Sequence, residues 1–167
     1  VHLARIRAAK PDVVAISLIG ADSIAFNRSF GESGLGSKML RLAGAMDETV
    51  LLGIGADNTE NLFCSSGYFN GIRSLENEAF LERPRAAFGV CAPPVGSVGE
   101  SNYEGLHFLE TIARQAGSVG SRALLSAAQN TVYNSVRGPV AGRNGRATMP
   151  IFLAEADGLE FRIVAQF

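Results

Sequence analysis

Tryptophan is absent from this sequence, and cysteine, histidine and lysine occur only twice each. The basic and acidic residues nearly balance, to a formal net charge of -1, and the arginines are scattered, so the basic stripe of a nucleic-acid-binding surface is missing. No apolar run reaches the roughly 18 residues that span a membrane. Cys64 and Cys91 are too few and too far apart for a zinc site, which takes about four ligands in close pairs, and we expect both thiols to be buried or half-buried.

Catalytic and phosphate-binding motifs are missing as well. There is no Gly-x-Ser-x-Gly and no Gly-Lys-Ser/Thr, and the Gly53–Gly55 and Gly96–Gly99 segments do not join a strand to a helix with the glycine spacing of a phosphate loop. His107 falls within a predicted helix beside Leu106, with no predicted nucleophile near it, so we expect a half-buried structural role. The sequence therefore predicts a protein that is not an enzyme and that holds no cofactor and no metal.

Apolar residues, at 47%, are numerous enough to bury a core. The most informative segment, PDVVAISLIGADSIAF, runs from Pro11 to Phe26. Its apolar run Val13–Ile19 predicts a buried parallel strand, the polar loop Gly20–Ser23 follows, and Ser23–Phe30 has helical periodicity. In open α/β sheets small ligands bind at this carboxyl edge, where the N–H groups of the following helix are free.

The same pattern continues through the first 70 or so residues. Leu3–Ala9 predicts a helix, Met39–Ala45 a second strand, and Asn61–Phe69 a third extended run. Between the second and third strands, Asp47 has the position of an N-cap for a short helix over Glu48–Ile54. This alternation predicts an α/β fold with a doubly wound parallel sheet.

The middle of the chain is predicted to be helical. Glu76–Phe88 and Ser121–Gln129 have helical periodicity, and Ala92–Gly99 is expected to be a loop. A long helix, Ser101–Ala116, begins with the spacing of a capping box that ends at Glu104. The stripe that we expect to be buried on this helix consists of Leu106, Leu109, Ile112 and Ala113.

Towards the C-terminus the apolar period switches from helical to alternating. Strands are predicted over Asn134–Val140, Thr148–Glu155 and Glu160–Phe167. Asp157-Gly158 is a two-residue turn signal between the last two of these strands, which predicts a C-terminal β-hairpin.

Short motifs also follow one another in a recognisable order and spacing along the chain. They are Gly20-Ala21-Asp22-Ser23 with Ala25-Phe26, Met46-Asp47-Glu48, Gly67-Tyr68-Phe69, Glu78-Ala79-Phe80, Tyr103-Glu104-Gly105, Ala116-Gly117-Ser118, Arg137-Gly138-Pro139-Val140 and Glu155-Ala156-Asp157-Gly158.

On these motifs, the chain resembles the C-terminal part of type I periplasmic binding proteins over nearly its whole length. The nearest branch is similar to the receptors of ABC transporters that bind urea and short amides, beside the branched-chain amino acid receptors. That branch includes the amide-sensing regulator of an aliphatic amidase operon.

The resemblance implies a two-lobed clamp that closes on a ligand, incomplete here because the first half of such a receptor is missing. Residues 1–67 would form a βαβαβ unit of the second lobe and 68–74 a hinge crossing. Residues 75–130 would supply helices of the first lobe, and 131–167 the final crossover and the C-terminal strands.

The resemblance also implies which residues face a ligand. Loop N–H groups would donate to a ligand carbonyl or carboxylate, and an aspartate carboxylate would accept from an amide or ammonium group. The implied positions are Gly20, Ala21, Asp22, Met46 and Asp47, with Ser17 and Tyr68 as weaker candidates.

The implied function is capture of a small amide, urea or an amino acid by the extracytoplasmic solute-binding component of an ABC importer, whose membrane subunits are the expected partners. One alternative is a cytoplasmic amide-sensing regulator of the same fold. An enzyme of flavodoxin-like or Rossmann-like architecture is a second alternative, and a homodimer formed through exposed lobe faces is a third.

Overall fold

The computed structural model describes residues 2–129 and 131–167. Val1 and Asn130, which begin and end two of the predicted segments, lie outside the described residues. The chain divides into two compact units. Unit 1 comprises the residues up to Gly71 together with Pro93–Gly96 and Ile151–Phe167, and unit 2 comprises Ile72–Ala92 and Ser97–Pro150. The predicted lobe and hinge segments stay a prediction.

The order of helices and strands agrees with the sequence pattern up to α6 and differs from it after that helix. The helices are α1 (His2–Ala9), α2 (Gly20–Glu32), α3 (Glu48–Ile54), α4 (Leu75–Phe88), α5 (Ser97–Ala116) and α6 (Ser121–Ala128). The strands are β1 (Val13–Ile16), β2 (Leu40–Ala43), β3 (Leu62–Ser66), β4 (Val132–Ser135), β5 (Gly138–Arg143), β6 (Arg146–Thr148), β7 (Phe152–Asp157) and β8 (Glu160–Gln166).

The sheet of unit 1 has the strand order β1-β2-β3-β7-β8. β1, β2 and β3 are parallel, with Val13 opposite Leu40 and Arg41 opposite Leu62, because α2 and α3 return the chain to the same end of the sheet. β7 and β8 add an antiparallel hairpin at the other side of β3. The predicted α/β class, with a parallel-containing sheet and a C-terminal β-hairpin, is confirmed.

Apolar side chains from both helices and strands fill unit 1. Phe30, Leu35 and Met39 form a buried cluster, and side chains of α1, α2 and β1 pack against it. Leu51 and Leu62 are fully buried elsewhere in this unit. Burial of this kind contributes about 1.5–3 kcal/mol for each large apolar side chain.

Arg41 is a buried charge that the sequence pattern did not indicate. Its guanidinium donates to the backbone and side-chain oxygens of Asn27, and to the carbonyl groups of Asn58 and Glu60, while its Cζ lies 4.9 Å from the ring centroid of Phe30. Burial lowers the pKa of Arg41 to about 10, which leaves it charged at neutral pH. The side chain thus ties β2 to α2 and to the segment before β3.

Unit 2 contains α4, α5 and α6 and a second sheet with the order β4-β5-β6. The predicted Ala92–Gly99 loop is wrong in its last part, because α5 begins at Ser97. Ser101 and Glu104 therefore lie inside the helix, and the capping box is also wrong. In the stripe that was expected to be buried, Ile112 is 7% exposed, but Leu106 and Leu109 are 70% and 47% exposed.

Two of the predicted C-terminal strands are interrupted. The predicted strand Asn134–Val140 contains the end of β4, a two-residue turn and the start of β5. β5 begins at Gly138, whose φ of +114° is a value that L side chains rarely adopt. Thr148–Glu155 divides into the end of β6 and the start of β7, with Pro150 between them. The last hairpin is present, but Asp157 pairs with Glu160, so its two-residue loop lies one position later than predicted.

Several boundaries in unit 1 also differ from the pattern. β1 ends at Ile16 and α2 begins at Gly20, so the loop is formed by residues 17–19, and residues 20–23, predicted to be the loop, form the first turn of α2. Both thiols are free, but Cys64 is buried whereas Cys91 is exposed, contrary to the expectation for Cys91. Among the described helices none is long and apolar enough to cross a membrane.

Candidate ligand-binding site

The first candidate loop joins β1 to α2. Gly20 is the first residue of the helix and has a φ of +57°. Among the described residues, the N-cap residue Ile19 makes no side-chain hydrogen bond to the start of the helix. The first-turn N–H groups, which include those of Ala21 and Asp22, have no partner within an α-helix. Ser17, Gly20, Ala21 and Asp22 are all exposed. This loop can therefore present backbone donors to a small ligand.

The second candidate loop joins β2 to α3. Asp47 is the N-cap that the sequence predicts, and its Oδ1 accepts from Thr49 N–H at 3.1 Å. Asp47 is only 8% exposed and Met46 2%. The Met46 carbonyl accepts from the Cys64 thiol at 3.2 Å, which joins this loop to β3. Both side chains are thus more enclosed than those of the first loop.

The sheet topology places the two loops at one edge. β1 and β2 are parallel neighbours whose last pair is Ile16 opposite Ala43, so their carboxyl ends meet at the same side of the sheet. Tyr68, two residues after the end of parallel strand β3, is completely buried. The Tyr68 N–H lies 3.5 Å from the Ser66 hydroxyl. The predicted positions therefore follow the parallel strands, although exposed and buried side chains are mixed among them.

The sequence pattern missed Glu48 and Asn70. Glu48, at the first position of α3, is 3% exposed, and its Oε1 accepts from Asn70 N–H at 2.9 Å. Burial raises the pKa of Glu48 above its ordinary value. A glutamate in the first turn of a helix is expected to be solvated, and the Asp47-Glu48 pair contains no signal of a partner 22 residues away.

A thiol lies beside the second candidate loop. This thiol belongs to Cys64, and burial raises its pKa to about 12, which keeps it protonated and unreactive at neutral pH. Within the described residues there is no group of three or more histidine, cysteine, aspartate or glutamate side chains that could hold a metal ion. The arrangement can donate and accept hydrogen bonds, which suits binding.

A second polar cluster lies in unit 2. Arg137 is buried and forms ion pairs with Glu100 and with Glu104, whose Oε2 is 2.9 Å from Arg137 Nε. Arg137 also donates to the Ser101 hydroxyl at 2.8 Å, and the Ser135 hydroxyl donates to Glu104. Because Arg137 lies in the turn between β4 and β5, this cluster attaches that hairpin to α5.

His107 matches its predicted half-buried state. Its ring lies 4.4 Å from the ring centroid of Tyr103, and its Nδ1 is 3.6 Å from a carboxylate oxygen of Glu110. These contacts lie on α5 in unit 2, whereas the candidate loops belong to unit 1.

Several solved structures have a fold similar to that of this chain. A search of curated proteins found no match. Among solved structures, an amino acid ABC transporter substrate-binding protein from Pseudomonas fluorescens Pf-5 has a TM-score of 0.85 at 16% identity, over 99% of this chain and 47% of its own.

A solute-binding protein of an ABC transporter from Rhodopseudomonas palustris BisB5, in complex with 3,4-dihydroxybenzoic acid, has a TM-score of 0.85 at 22% identity. The leucine-binding protein LivK from Thermotoga maritima MSB8 has a TM-score of 0.80 at 17% identity. Both matches cover 99% of this chain and 47% of the other, so the chain spans about half the length of the solved structures it matches. At these identities the likeness shows the fold.

The family model described as "Periplasmic binding protein" matches residues 1–160, nearly the whole sequence. The parallel strands with candidate loops at their carboxyl edge, and the similarity to substrate-binding proteins of ABC transporters, agree with this match. The chain therefore belongs to the periplasmic binding protein family.

Proposed function

We propose that this chain supplies part of the binding site for a small solute in the solute-binding component of an ABC importer. The observation that carries the proposal is the family match over residues 1–160, together with the two loops that follow neighbouring parallel strands. Binding without chemical conversion fits the donors and acceptors of these loops. It is favoured over the enzyme alternative because the family is one of binding proteins.

The ligand class that we propose is a small carboxylic acid, with amino acids first. Leucine and 3,4-dihydroxybenzoic acid, named with two of the similar structures, both carry a carboxylate. The N–H groups of Ala21 and Asp22 at the start of α2 are suited to such a group, because the positive end of the helix dipole lies there. Asp22 or Asp47 would accept from an ammonium or amide group of the same ligand, and Ser17, Gly20, Met46 and Tyr68 would line the site.

An extracytoplasmic location and contact with the membrane subunits of an ABC transporter are proposed on the same basis. The family and the similar structures are periplasmic or transporter-associated by name. Urea and short amides, implied by the resemblance of the sequence to one branch, belong to the ligands to be tested.

The test is a titration of the 167-residue chain, followed by amide NMR shifts and thermal unfolding, with L-leucine, 3,4-dihydroxybenzoate, acetamide and urea. Binding should shift the Ala21 and Asp22 amide signals, and at a concentration of 100 Kd it should stabilise the fold by about 2.7 kcal/mol. Asp22→Asn should weaken binding of an ammonium-bearing ligand. Asp57→Asn, at another exposed aspartate of unit 1, is the matched control.

If none of these compounds shifts the signals of the two loops at millimolar concentration, the proposed ligand classes are wrong. Shifts confined to residues of unit 2 would show that the site lies elsewhere.

A further inference from the structure

We propose that Asn70 is a positioning residue for the loop between β2 and α3: it fastens two segments of unit 1 to the start of α3 and so holds Met46 and Asp47 in place. The proposal rests on the proposed function, because it takes Met46 and Asp47 as ligand residues.

The Asn70 side chain pairs with the backbone of Val95 in both directions. Its Nδ2 donates to the Val95 carbonyl at 2.9 Å, and the Val95 N–H donates to Asn70 Oδ1 at 3.1 Å. A carboxamide can do this because it offers a donor and an acceptor side by side, as the backbone of a neighbouring strand does. The pair therefore attaches the short segment Pro93–Gly96 to the rest of unit 1.

Glu48 attaches the backbone of Asn70 to α3. Its Oε1 accepts from the Asn70 N–H at 2.9 Å, and its Oε2 has no hydrogen-bond partner among the residues that the structure describes. Burying a carboxylate with one unpaired oxygen costs free energy. An aliphatic side chain would be buried at lower cost but could not hold the Asn70 N–H, so the specific contribution of Glu48 is this bond.

Two glycines allow the segments to lie this close to their neighbours. A Cβ at Gly96 would lie 3.0 Å from Asp47 Oδ2, and a Cβ at Gly71 would lie 2.8 Å from the Phe161 carbonyl oxygen. The Pro93–Gly96 segment thus packs directly against Asp47, and the residue after Asn70 packs against β8. Gly71 and Gly96 are also the residues after which the chain enters unit 2.

Asp47 and Glu48 are neighbours in sequence and both contact the two segments. Asp47 does so through Gly96, and Glu48 does so through Asn70. A displacement of Asp47 on ligand binding is therefore passed to both segments through short contacts, and a displacement of the segments is passed back. Asn70 is the common member because it contacts both Glu48 and Val95.

Amide hydrogen exchange of the full chain, resolved by NMR, tests the coupling without a ligand. Asn70→Ala should speed exchange at Val95 N–H about tenfold, the factor expected for loss of one or two net hydrogen bonds. It should also speed exchange at Thr49 N–H, which is bound to Asp47 and not to Asn70. Glu48→Ala should speed exchange at Val95 N–H. Glu48→Gln, which keeps the acceptor oxygen, should leave that exchange rate as it is in the original chain.

Arg41 N–H, held by the Asn61 carbonyl at 2.8 Å, reports on the stability of unit 1 as a whole and should be unchanged. Asn102→Ala is the matched control, since Asn102 is an exposed asparagine with one bond to the Val98 carbonyl. Should Asn70→Ala fail to fold, Asn70→Asp replaces it: the acceptor for Val95 N–H stays, but the donor is lost and a carboxylate oxygen meets the Val95 carbonyl.

Unchanged exchange at Val95 in Glu48→Ala, or at Thr49 in the Asn70 variants, would overturn the proposal and leave Asn70 a local contact. Where a probe such as L-leucine binds, Asn70→Ala should weaken it several-fold while Asn102→Ala does not, and equal affinities would contradict a positioning role. Failure of every probe to bind refutes the proposed ligand classes and leaves the exchange result standing, so the two failures are distinguishable.

Discussion

Two glutamates and one arginine are buried together in unit 2. Glu100, Glu104 and Arg137 are each less than 10% exposed, so two carboxylates share a single guanidinium. The pKa of Glu100 is raised to about 7, mainly by burial; the charge of Arg137 opposes the rise, and the charge of Glu104 adds to it. Between about pH 4.5 and pH 7, Glu100 therefore holds a proton in the folded chain that it would lose in an unfolded chain.

This proton predicts a stability that depends on pH. Because the folded-state pKa of Glu100 lies above its unfolded value of 4.5, its contribution to stability is complete below about pH 4.5 and is lost as the pH rises through about 7. Thermal unfolding followed by circular dichroism should give a melting temperature that falls between pH 5 and pH 8. Glu100→Gln, which carries no proton to lose, should flatten this slope.

Glu76→Gln is the control for that experiment, since Glu76 is an exposed carboxylate of the same unit. It should leave the slope between pH 5 and pH 8 as it is in the original chain. A slope that survives in Glu100→Gln, or a melting temperature that rises over this range, would show that the buried cluster is not the group that titrates.

Residues whose partners are close in sequence could be predicted, and residues with distant partners could not. Asp47 was assigned as the cap of α3 because a cap bonds to an N–H two residues away. Glu48, Arg41 and Asn70 form hydrogen bonds with partners 14 to 25 residues away, and no local pattern encodes such a pairing. The predicted ligand residues could be predicted only in part. The sequence pattern indicates which residues lie in loops at strand ends, but it does not indicate which of their side chains are exposed.

Among the helices, α5 shows how a local pattern can mislead. Ser101 and Glu104 have the spacing of a capping box, but the helix begins four residues earlier, and both side chains bind Arg137 or Ser135 instead. The hairpin that follows was missed for a related reason. Its turn depends on Gly138, whose positive φ is compatible with a turn, while the flanking residues alternate as in one continuous strand.

The exposed and buried positions of α5 make a direct prediction for stability. Ile112→Ala should destabilise the protein by about 3 kcal/mol, because it removes buried apolar surface and leaves a cavity. Leu106→Ala, at a position that is 70% exposed, should cost less than about 1 kcal/mol. Urea unfolding of both variants measures this difference, and similar losses would mean that the stripe predicted from the sequence is buried after all.

At the scale of the whole molecule, the sequence predicted the α/β class and the parallel start of the main sheet, because alternating strands and helices leave few topologies. The family resemblance implied two lobes with a crossing at residues 68–74, which stays a prediction, but the sequence pattern contained no sign of the later divisions after Ala92, Gly96 and Pro150. Those divisions depend on contacts between segments far apart in sequence, and composition changes little at them.

The distribution of apolar surface leads to a last prediction, about association. Val98, Leu106 and Leu109 are all exposed, and their spacing places them on one face of α5, so unit 2 presents an apolar stripe to solvent. Surfaces of this kind promote contacts between molecules. The weight-average mass measured by light scattering should therefore rise above the 17.6 kDa of one chain as concentration increases.

Leu106→Gln combined with Leu109→Gln should lower this association without loss of fold, since neither side chain is buried. Leu52→Gln is the control, since Leu52 is an exposed leucine of unit 1. A mass that stays at 17.6 kDa at every concentration, or one that Leu52→Gln lowers equally, would contradict association through α5.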